Sequence, residues 1–266
     1  MTLKPPITYL GAKTRIAPKV VNLLPVHTHY IEPFAGSLAV LLAKEPSTAE
    51  TVSDIDGDLM AFWEVLRDQP DELTRACALT PHSRGEYYRS LEPLNDLPPV
   101  ERARRVWVRI NQGSSRTLKH GGMWARYVTY QHRSRTLPTQ LHALADRITP
   151  VAERLSQVSL DNRPALDMIR KYGRSKTNLL YLDPPYLETT TKNTQYAHQM
   201  SSTKEHEEIL EAALSCNASV AISGYPSDLY EQALSGWSRY TIPTRTRSKG
   251  VTEVLWINTP AEPRGR

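Results

Sequence analysis

Short apolar runs alternate with amphipathic stretches through the first and last thirds of this chain. Runs with strand character fall at residues 29–34, 51–53, 157–160, 178–182, 219–223 and 252–258. Apolar positions at helical spacing predict helices over 15–24, 37–43, 59–67 and 204–215. Strands alternating with helices are the pattern of a doubly wound, mostly parallel α/β sheet. Residues 68–156 break that rhythm, being proline-punctuated and helical or irregular. They are expected to form a mainly helical insertion in a sheet domain built from residues 1–67 and 157–266. No internal repeat or low-complexity tract complicates the division.

The run at 178–182 ends abruptly in Asp183-Pro184-Pro185-Tyr186. Neither proline has a backbone N–H and both have a fixed φ, so the strand stops and a rigid segment follows. In open α/β sheets ligands gather beyond the carboxyl ends of strands. A rigid turn there aims two acceptors, the Asp183 carboxylate and the Pro184 carbonyl, at whatever binds. An exocyclic amino group has two N–H donors to match them, and Tyr186 offers a flat face for a base. Such a set would orient an amine and accommodate the positive charge that grows as it attacks an electrophile.

Composition narrows the setting. With 39% hydrophobic and 23% charged residues, the 266-residue chain has ordinary globular make-up. No apolar run approaches the ~18 residues that span a bilayer, and the start lacks the apolar core of a signal peptide. Two cysteines, Cys77 and Cys216, make neither a disulfide framework nor a metal cluster, so a reducing cytoplasmic setting is expected. The eight histidines show no metal-ligand spacing, and no metal is expected. Charge changes the picture more. Residues 102–145 contain no Asp or Glu but nine basic side chains: Arg102, Arg104, Arg105, Arg109, Arg116, Lys119, Arg126, Arg133 and Arg135. Trp107, Trp124, Tyr127 and Tyr130 lie among them. A one-signed stretch of this length suggests a polyanion partner, and arginine is the residue that grips phosphates and guanine edges bidentately.

Two stretches before the insertion have ligand-binding layouts. In residues 29–45 a strand ends at Glu32-Pro33-Phe34, Gly36 makes a turn, and an apolar helix follows; helix N-termini in this layout receive ligands. The next strand ends at Asp54, about 20 residues beyond that turn, where a carboxylate can accept both hydroxyls of a ribose. Asp54 or Asp56 could equally cap the following helix. Residues 109–116, with Asn111 and short polar side chains around Gly113, could be a DNA-contacting loop or a helix end capped by glycine. Residues 188–202, polar and aperiodic, suit either a mobile lid or a surface loop.

Taken together, these motifs resemble those of the Dam-type family of DNA adenine-N(6) methyltransferases over nearly the whole chain. Tyr9-Leu10-Gly11-Ala12-Lys13 is similar to the family's N-terminal aromatic-x-Gly-x-Lys motif, and residues 32–36 to its methionine-binding loop. Ser53-Asp54-Ile55-Asp56 is similar to its ribose-binding acid, and residues 183–186 to its catalytic signature. Ser223-Gly224-Tyr225 and residues 252–256 resemble later family elements. The resemblance implies a Rossmann-like methyltransferase fold, S-adenosylmethionine as donor, double-stranded DNA as partner, and a flipped target adenine. It places Tyr9, Gly11, Lys13, Glu32, Phe34, Gly36, Asp54, Ile55, Asp161 and Asp183 at the cofactor. Asp183, Pro184, Pro185 and Tyr186 fall to catalysis. Arg104, Arg105, Arg109, Asn111, Arg116, Lys119, Arg126, Arg133 and Arg135 fall to DNA, with a monomer favoured. One departure stands out: Leu38 occupies the place of the family's second glycine, where it would either crowd the cofactor or pack beneath it. The rival readings are a cytosine-N(4) methyltransferase, whose amine offers the same two hydrogens, and a non-catalytic DNA-binding regulator.

Overall fold

The computed structural model describes residues 2–118, 122–126, 136–187, 202–243 and 252–258. Lys119, Arg133, Arg135 and the stretch 188–201 lie outside them. The chain opens with α1 (Ala17–Leu23), β1 (His29–Glu32), α2 (Ala39–Ala43), β2 (Ala49–Ser53) and α3 (Gly57–Asp68). Five helices follow: α4 (Pro70–Ala78), α5 (Arg84–Arg89), α6 (Pro99–Gln112), α7 (Leu137–Ala145) and α8 (Ile148–Leu155). The sheet then resumes with β3 (Ser159–Asp161), α9 (Ala165–Tyr172), β4 (Asn178–Leu182), α10 (Thr203–Leu214) and β5 (Ser219–Gly224). Last come α11 (Asp228–Ala233), β6 (Ser238–Pro243) and β7 (Thr252–Ile257).

The strands form one seven-stranded sheet in the order β3-β2-β1-β4-β5-β7-β6. Pairings from β3 to β5 are parallel, while β7 runs antiparallel to both β5 and β6. The doubly wound, mostly parallel α/β reading therefore holds. From β1 the chain winds outward to β2 and β3, then returns to place β4 on the other side of β1. The loops after β1 and β4 diverge at that switch point, opening the crevice in which such folds bind ligands.

Side-chain alternation assigns the layers. Tyr30, Val52, Leu179, Tyr181, Ala221 and Leu255 face one way and pack with α1–α4 and α6–α8. Ile31, Leu180, Leu182, Val220, Ile222 and Trp256 face the other way, onto α9, α10 and α11. Every residue of β4 is buried, as expected of a central parallel strand covered on both faces. Burying each of its large apolar side chains contributes on the order of 1.5–3 kcal/mol. Helices α4 and α6–α8 join the same core as α3 and the sheet. These helices thus interrupt the sheet in sequence but share the core on its first face.

Local chemistry sets the boundaries. Strand β1 ends at Glu32, not Phe34, because Pro33 has no N–H for a ladder. Asp56 caps α3 by accepting from the N–H groups of Asp58 and Leu59 at 3.0 and 3.1 Å. Ser202 and Glu205 form a reciprocal capping box at α10. The α2 helix begins only at Ala39, because Leu38 is left-handed at φ 56°.

Candidate active site

Four segments meet at the carboxyl end of the sheet. They are the N-terminal loop 9–13, the turn after β1, the turn after β2, and residues 183–187 after β4. Between them lies a cavity of about 520 Å³. Tyr9, Gly11, Lys13, Glu32, Phe34, Gly36, Asp54, Ile55, Asp183 and Pro185 all border it. Residues of α9 and α10, among them Leu166, Glu205, Glu208 and Ile209, complete the wall. Pro184 and Tyr186 turn the other way and border a second, far smaller recess of about 10 Å³ with Ser223, Gly224 and Tyr225. The rigid Asp-Pro-Pro-Tyr segment is thus a partition, with Asp183 facing the cavity, Pro184 and Tyr186 facing the recess, and Pro185 bordering both.

A dense polar network fixes that partition. Lys13 Nζ lies 2.7 Å from Asp183 Oδ1 and donates to the Tyr186 hydroxyl at 2.6 Å. Ser223 Oγ donates to Asp183 Oδ1 at 2.9 Å. Its one proton being committed, the Tyr181 hydroxyl, 2.9 Å away, donates to Ser223 in turn. Tyr186 donates to both oxygens of Glu253, at 3.0 and 3.1 Å. Its ring stacks on Tyr225 with centroids 4.0 Å apart and planes 16° from parallel. On the cavity side, Tyr30 donates to Glu32 Oε2 at 2.8 Å. Burial pushes the Glu32 carboxyl up to about 8, with the Asp183 charge adding to the rise against the Tyr30 hydrogen bond.

The turn after β1 is shaped for close approach. Gly36 has φ 45°, a conformation that only glycine adopts cheaply. Its N–H donates to Asp54 Oδ2 at 2.9 Å, and Asp56 N–H donates to Asp54 Oδ1 at 3.0 Å. The two amides orient the Asp54 carboxylate at the cavity wall, and Asp56, not Asp54, is the helix cap. Leu38 is fully buried in the core under this turn and does not border the cavity. Of the two roles open to it, the leucine packs beneath. Asp161 also lies off the cavity: it accepts from Asn162 N–H at 2.8 Å and pairs with Arg163 at 3.3 Å. In this arrangement its carboxylate caps its own loop, three residues before the wall residue Pro164. Among the described residues no group of three or more His, Cys, Asp or Glu could hold a metal ion.

With this geometry in place, sequence comparison decides the family. The sequence model described as D12 class N6 adenine-specific DNA methyltransferase matches residues 9–246. The chain belongs to that family. No curated protein matches this methyltransferase. Among solved structures, a conserved hypothetical protein from Streptococcus pyogenes is similar at 10% identity and TM-score 0.37, covering 94% of this chain and 95% of its own. A methyltransferase from Geobacter sulfurreducens is similar at 11% identity and TM-score 0.39, covering 94% of this chain and 80% of its own. Superpositions this loose add nothing to the topology above.

In the methyltransferase, several of the expected DNA ligands have other partners. Arg109 is 3% exposed, and its guanidinium donates to the Ser90 carbonyl, through Nε at 2.8 Å and also through Nη2. Asn111 is buried and ties down the N-terminal segment, accepting from Thr8 N–H at 2.9 Å and donating to the Pro6 carbonyl at 3.3 Å. Arg104 bridges Glu101 and Glu86, each at 2.7 Å, and Arg105 bridges Glu101 and Glu92 at 2.8 and 3.0 Å. Arg102 pairs with Asp58 at 2.7 Å. DNA contact by Arg109 and Asn111 is corrected by their burial, and Arg104 and Arg105 are reassigned to structural ion pairs. Gly113 closes α6 at its C-cap, and the chain turns there into a short antiparallel bridge with Trp124. Half-buried Arg116 and exposed Arg126 flank that turn.

Glu253 lies within residues 252–256, quoted above as a family element, but like Tyr181, Glu205 and Glu208 it was given no role at the site. The signal was present as an acid in the apolar strand Thr252–Ile257, where both faces are covered. Tyr225 was quoted as a family element, but nothing in the sequence pointed to its ring lying against Tyr186.

Proposed function

We propose that this adenine-specific methyltransferase moves a methyl group from S-adenosylmethionine to the exocyclic amine of an adenine turned out of duplex DNA. The observation that carries the reading is Asp183. Its carboxylate stands at the partition between the large cavity and the Tyr186 recess, oriented by Lys13 and Ser223. The cavity suits a cationic nucleoside. Its size falls within the ~300–1,000 Å³ usual for ligand sites, and Asp54, Asp56, Asp183, Glu205 and Glu208 line it against one lysine. Gly36 lets backbone approach closely, Asp54 offers a carboxylate to a ribose, and Phe34, Ile55 and Leu166 supply apolar walls. S-adenosylmethionine supplies an electrophilic methyl group on its sulfonium when bound.

The chain's own residues do the rest. Asp183 accepts one N–H of the target amine and the Pro184 carbonyl the other, which aims the nitrogen across the partition. The carboxylate also stabilises positive charge as it grows on that nitrogen, an electrostatic effect that needs no rearrangement in the act. The Tyr181–Ser223 chain holds Asp183 in place. Tyr186 offers the base a stacking face, and because Tyr225 lies on that ring at 4.0 Å, base entry shifts one ring from the other. Residues 68–156 supply DNA recognition, with Arg116, Lys119, Arg126, Arg133 and Arg135 as the remaining phosphate ligands. The test is nucleoside mass spectrometry of DNA from methylation-deficient cells that express the chain or its Asp183→Ala variant. N(6)-methyladenine that disappears in the variant is expected. Modified adenine that persists, or N(4)-methylcytosine in its place, overturns the reading.

A further inference from the structure

In the reaction proposed above, on which this inference rests, Asp183 is the acceptor for the target amine. That acceptor is already engaged, since Lys13 Nζ lies 2.7 Å from Asp183 Oδ1. The same ammonium stands 2.6 Å from the Tyr186 hydroxyl, 4.9 Å from its ring centre and 3.5 Å from Glu253 Oε1. Ser223 also donates to Asp183 Oδ1, so a target amine that donates to that oxygen competes with Lys13 for it. Lys13 and Glu253 are 6% and 3% exposed, so water is poorly placed to compensate either charge, and a buried charge without a partner is costly. The lysine needs a second acid within reach, and Glu253 is that acid.

We propose that Glu253 is the second seat of the Lys13 ammonium: as the target amine engages Asp183, Nζ withdraws toward Glu253 and frees the acceptor. The movement is on the order of 1 Å, from the present separation to an ordinary charged contact of about 2.8 Å. Tyr186 guides it, because its hydroxyl accepts from Lys13 while donating to Glu253. Glu253 is thereby a positioning residue for the target base, acting through Lys13 and Tyr186. The ionisable groups facing it are Lys13, Asp183, Tyr186 and Tyr225, and its β6 neighbour is the uncharged Ile242. Burial holds the Glu253 carboxyl up at about 7, opposed by Lys13 and reinforced by Asp183. A closer ammonium favours the carboxylate, so base entry expels the proton from Glu253 wherever one is bound. Below that value each pH unit weakens base entry by up to about tenfold, and above it the penalty vanishes.

The experiment follows methyl transfer from tritiated S-adenosylmethionine to unmethylated genomic DNA between pH 6 and 8.5, for the full chain, Glu253→Gln and Glu253→Asp. Thermal unfolding confirms that each variant is folded. The wild-type KM for DNA is expected to rise about tenfold from pH 8 to pH 6. In Glu253→Gln, which accepts from Tyr186 but offers no charge, KM at pH 8 is raised about tenfold and changes less than twofold with pH. Glu253→Asp restores the pH dependence. A Glu253→Gln enzyme with wild-type KM at pH 8, or with the wild-type slope, or with reduced kcat at unchanged KM, overturns the second seat while leaving methyl transfer itself intact. A wild-type chain that methylates no DNA instead removes the reading on which the proposal stands.

Discussion

Leu38 combines full burial with a left-handed backbone, and the two features pull in opposite directions when the side chain is cut back. Truncating a buried leucine to alanine costs about 3–5 kcal/mol in transfer and cavity terms. A left-handed conformation costs an L-residue roughly 1–2 kcal/mol, which glycine avoids. At φ 56° and 0% exposure, Leu38→Gly loses slightly more contact than Leu38→Ala but sheds that strain. Glycine is therefore expected to be the more stable of the two, by about 1 kcal/mol, reversing the ordinary helix preference of about 1 kcal/mol for alanine. With roughly 2–4 °C per kcal/mol for chains near this size, the alanine variant should melt about 6–20 °C below wild type and the glycine variant a few degrees higher. Differential scanning fluorimetry reads both. Because Leu38 does not border the cavity, the increment in melting temperature from added S-adenosylmethionine should be the same in all three proteins. A glycine variant less stable than the alanine variant refutes the strain argument. A ligand increment that changes shows that Leu38 touches the ligand after all.

Three further outcomes follow from the same structure. Arg104→Ala strips Glu101 and Glu86 of a shared partner; a loss of about 1–2 kcal/mol in thermal unfolding is expected, with the salt slope of DNA binding unchanged, whereas Arg126→Ala should lower that slope by about one. The Glu32 carboxyl is protonated up to about 8 in the folded chain but loses its proton near 4.5 when unfolded. Its contribution to stability is thus fully present below about 4.5 and is lost as pH rises through 8, so Glu32→Gln should gain on wild type by up to about 1.4 kcal/mol per unit between those limits; melting curves that stay parallel from pH 5 to 8 contradict this. At Gly113 an added Cβ would meet the Arg109 carbonyl at 2.5 Å and a Tyr87 ring carbon at 3.2 Å, so Gly113→Ala should destabilise by about 1–3 kcal/mol, and a neutral result would show that the C-cap yields.

The sheet was legible where its strands are buried on both faces. Residues 178–182 and 219–223 announce themselves by continuous apolar runs, and the Pro-Pro pair marks where the first must end. Strand β6 escaped notice because its inward and outward positions alternate on the exposed edge of the sheet and it ends in Pro243. The phosphate-binding reading of residues 102–109 failed for a physical reason. Arg102, Arg104, Arg105 and Arg109 share helix α6, but Asp58, Glu86 and Glu92, which pair with the first three, and the Ser90 carbonyl that holds Arg109 arrive from other helices and loops. Only Glu101, just before the run and on the same helix, is a partner that local spacing encodes. The part of the cavity wall that was legible is the part whose acids, Glu32, Asp54 and Asp183, end or follow a strand, whereas Glu205 and Glu208 come from α10. Asp161 also ends a strand, which brings a side chain to the rim without turning it inward.

The N-terminal segment is stitched to the insertion along its length. Arg147 and Trp107 hold the Pro5 and Pro6 carbonyls, Asn111 grips Thr8, and Leu10 N–H donates to the Arg116 carbonyl, three residues before Lys13. Anyone exchanging residues 68–156 with those of a relative, to redirect which site is modified, would cut every one of these stitches and set the lysine loose from the acid it serves. A workable chimera must carry residues 2–13 across with the insert, so that the graft brings its own leash.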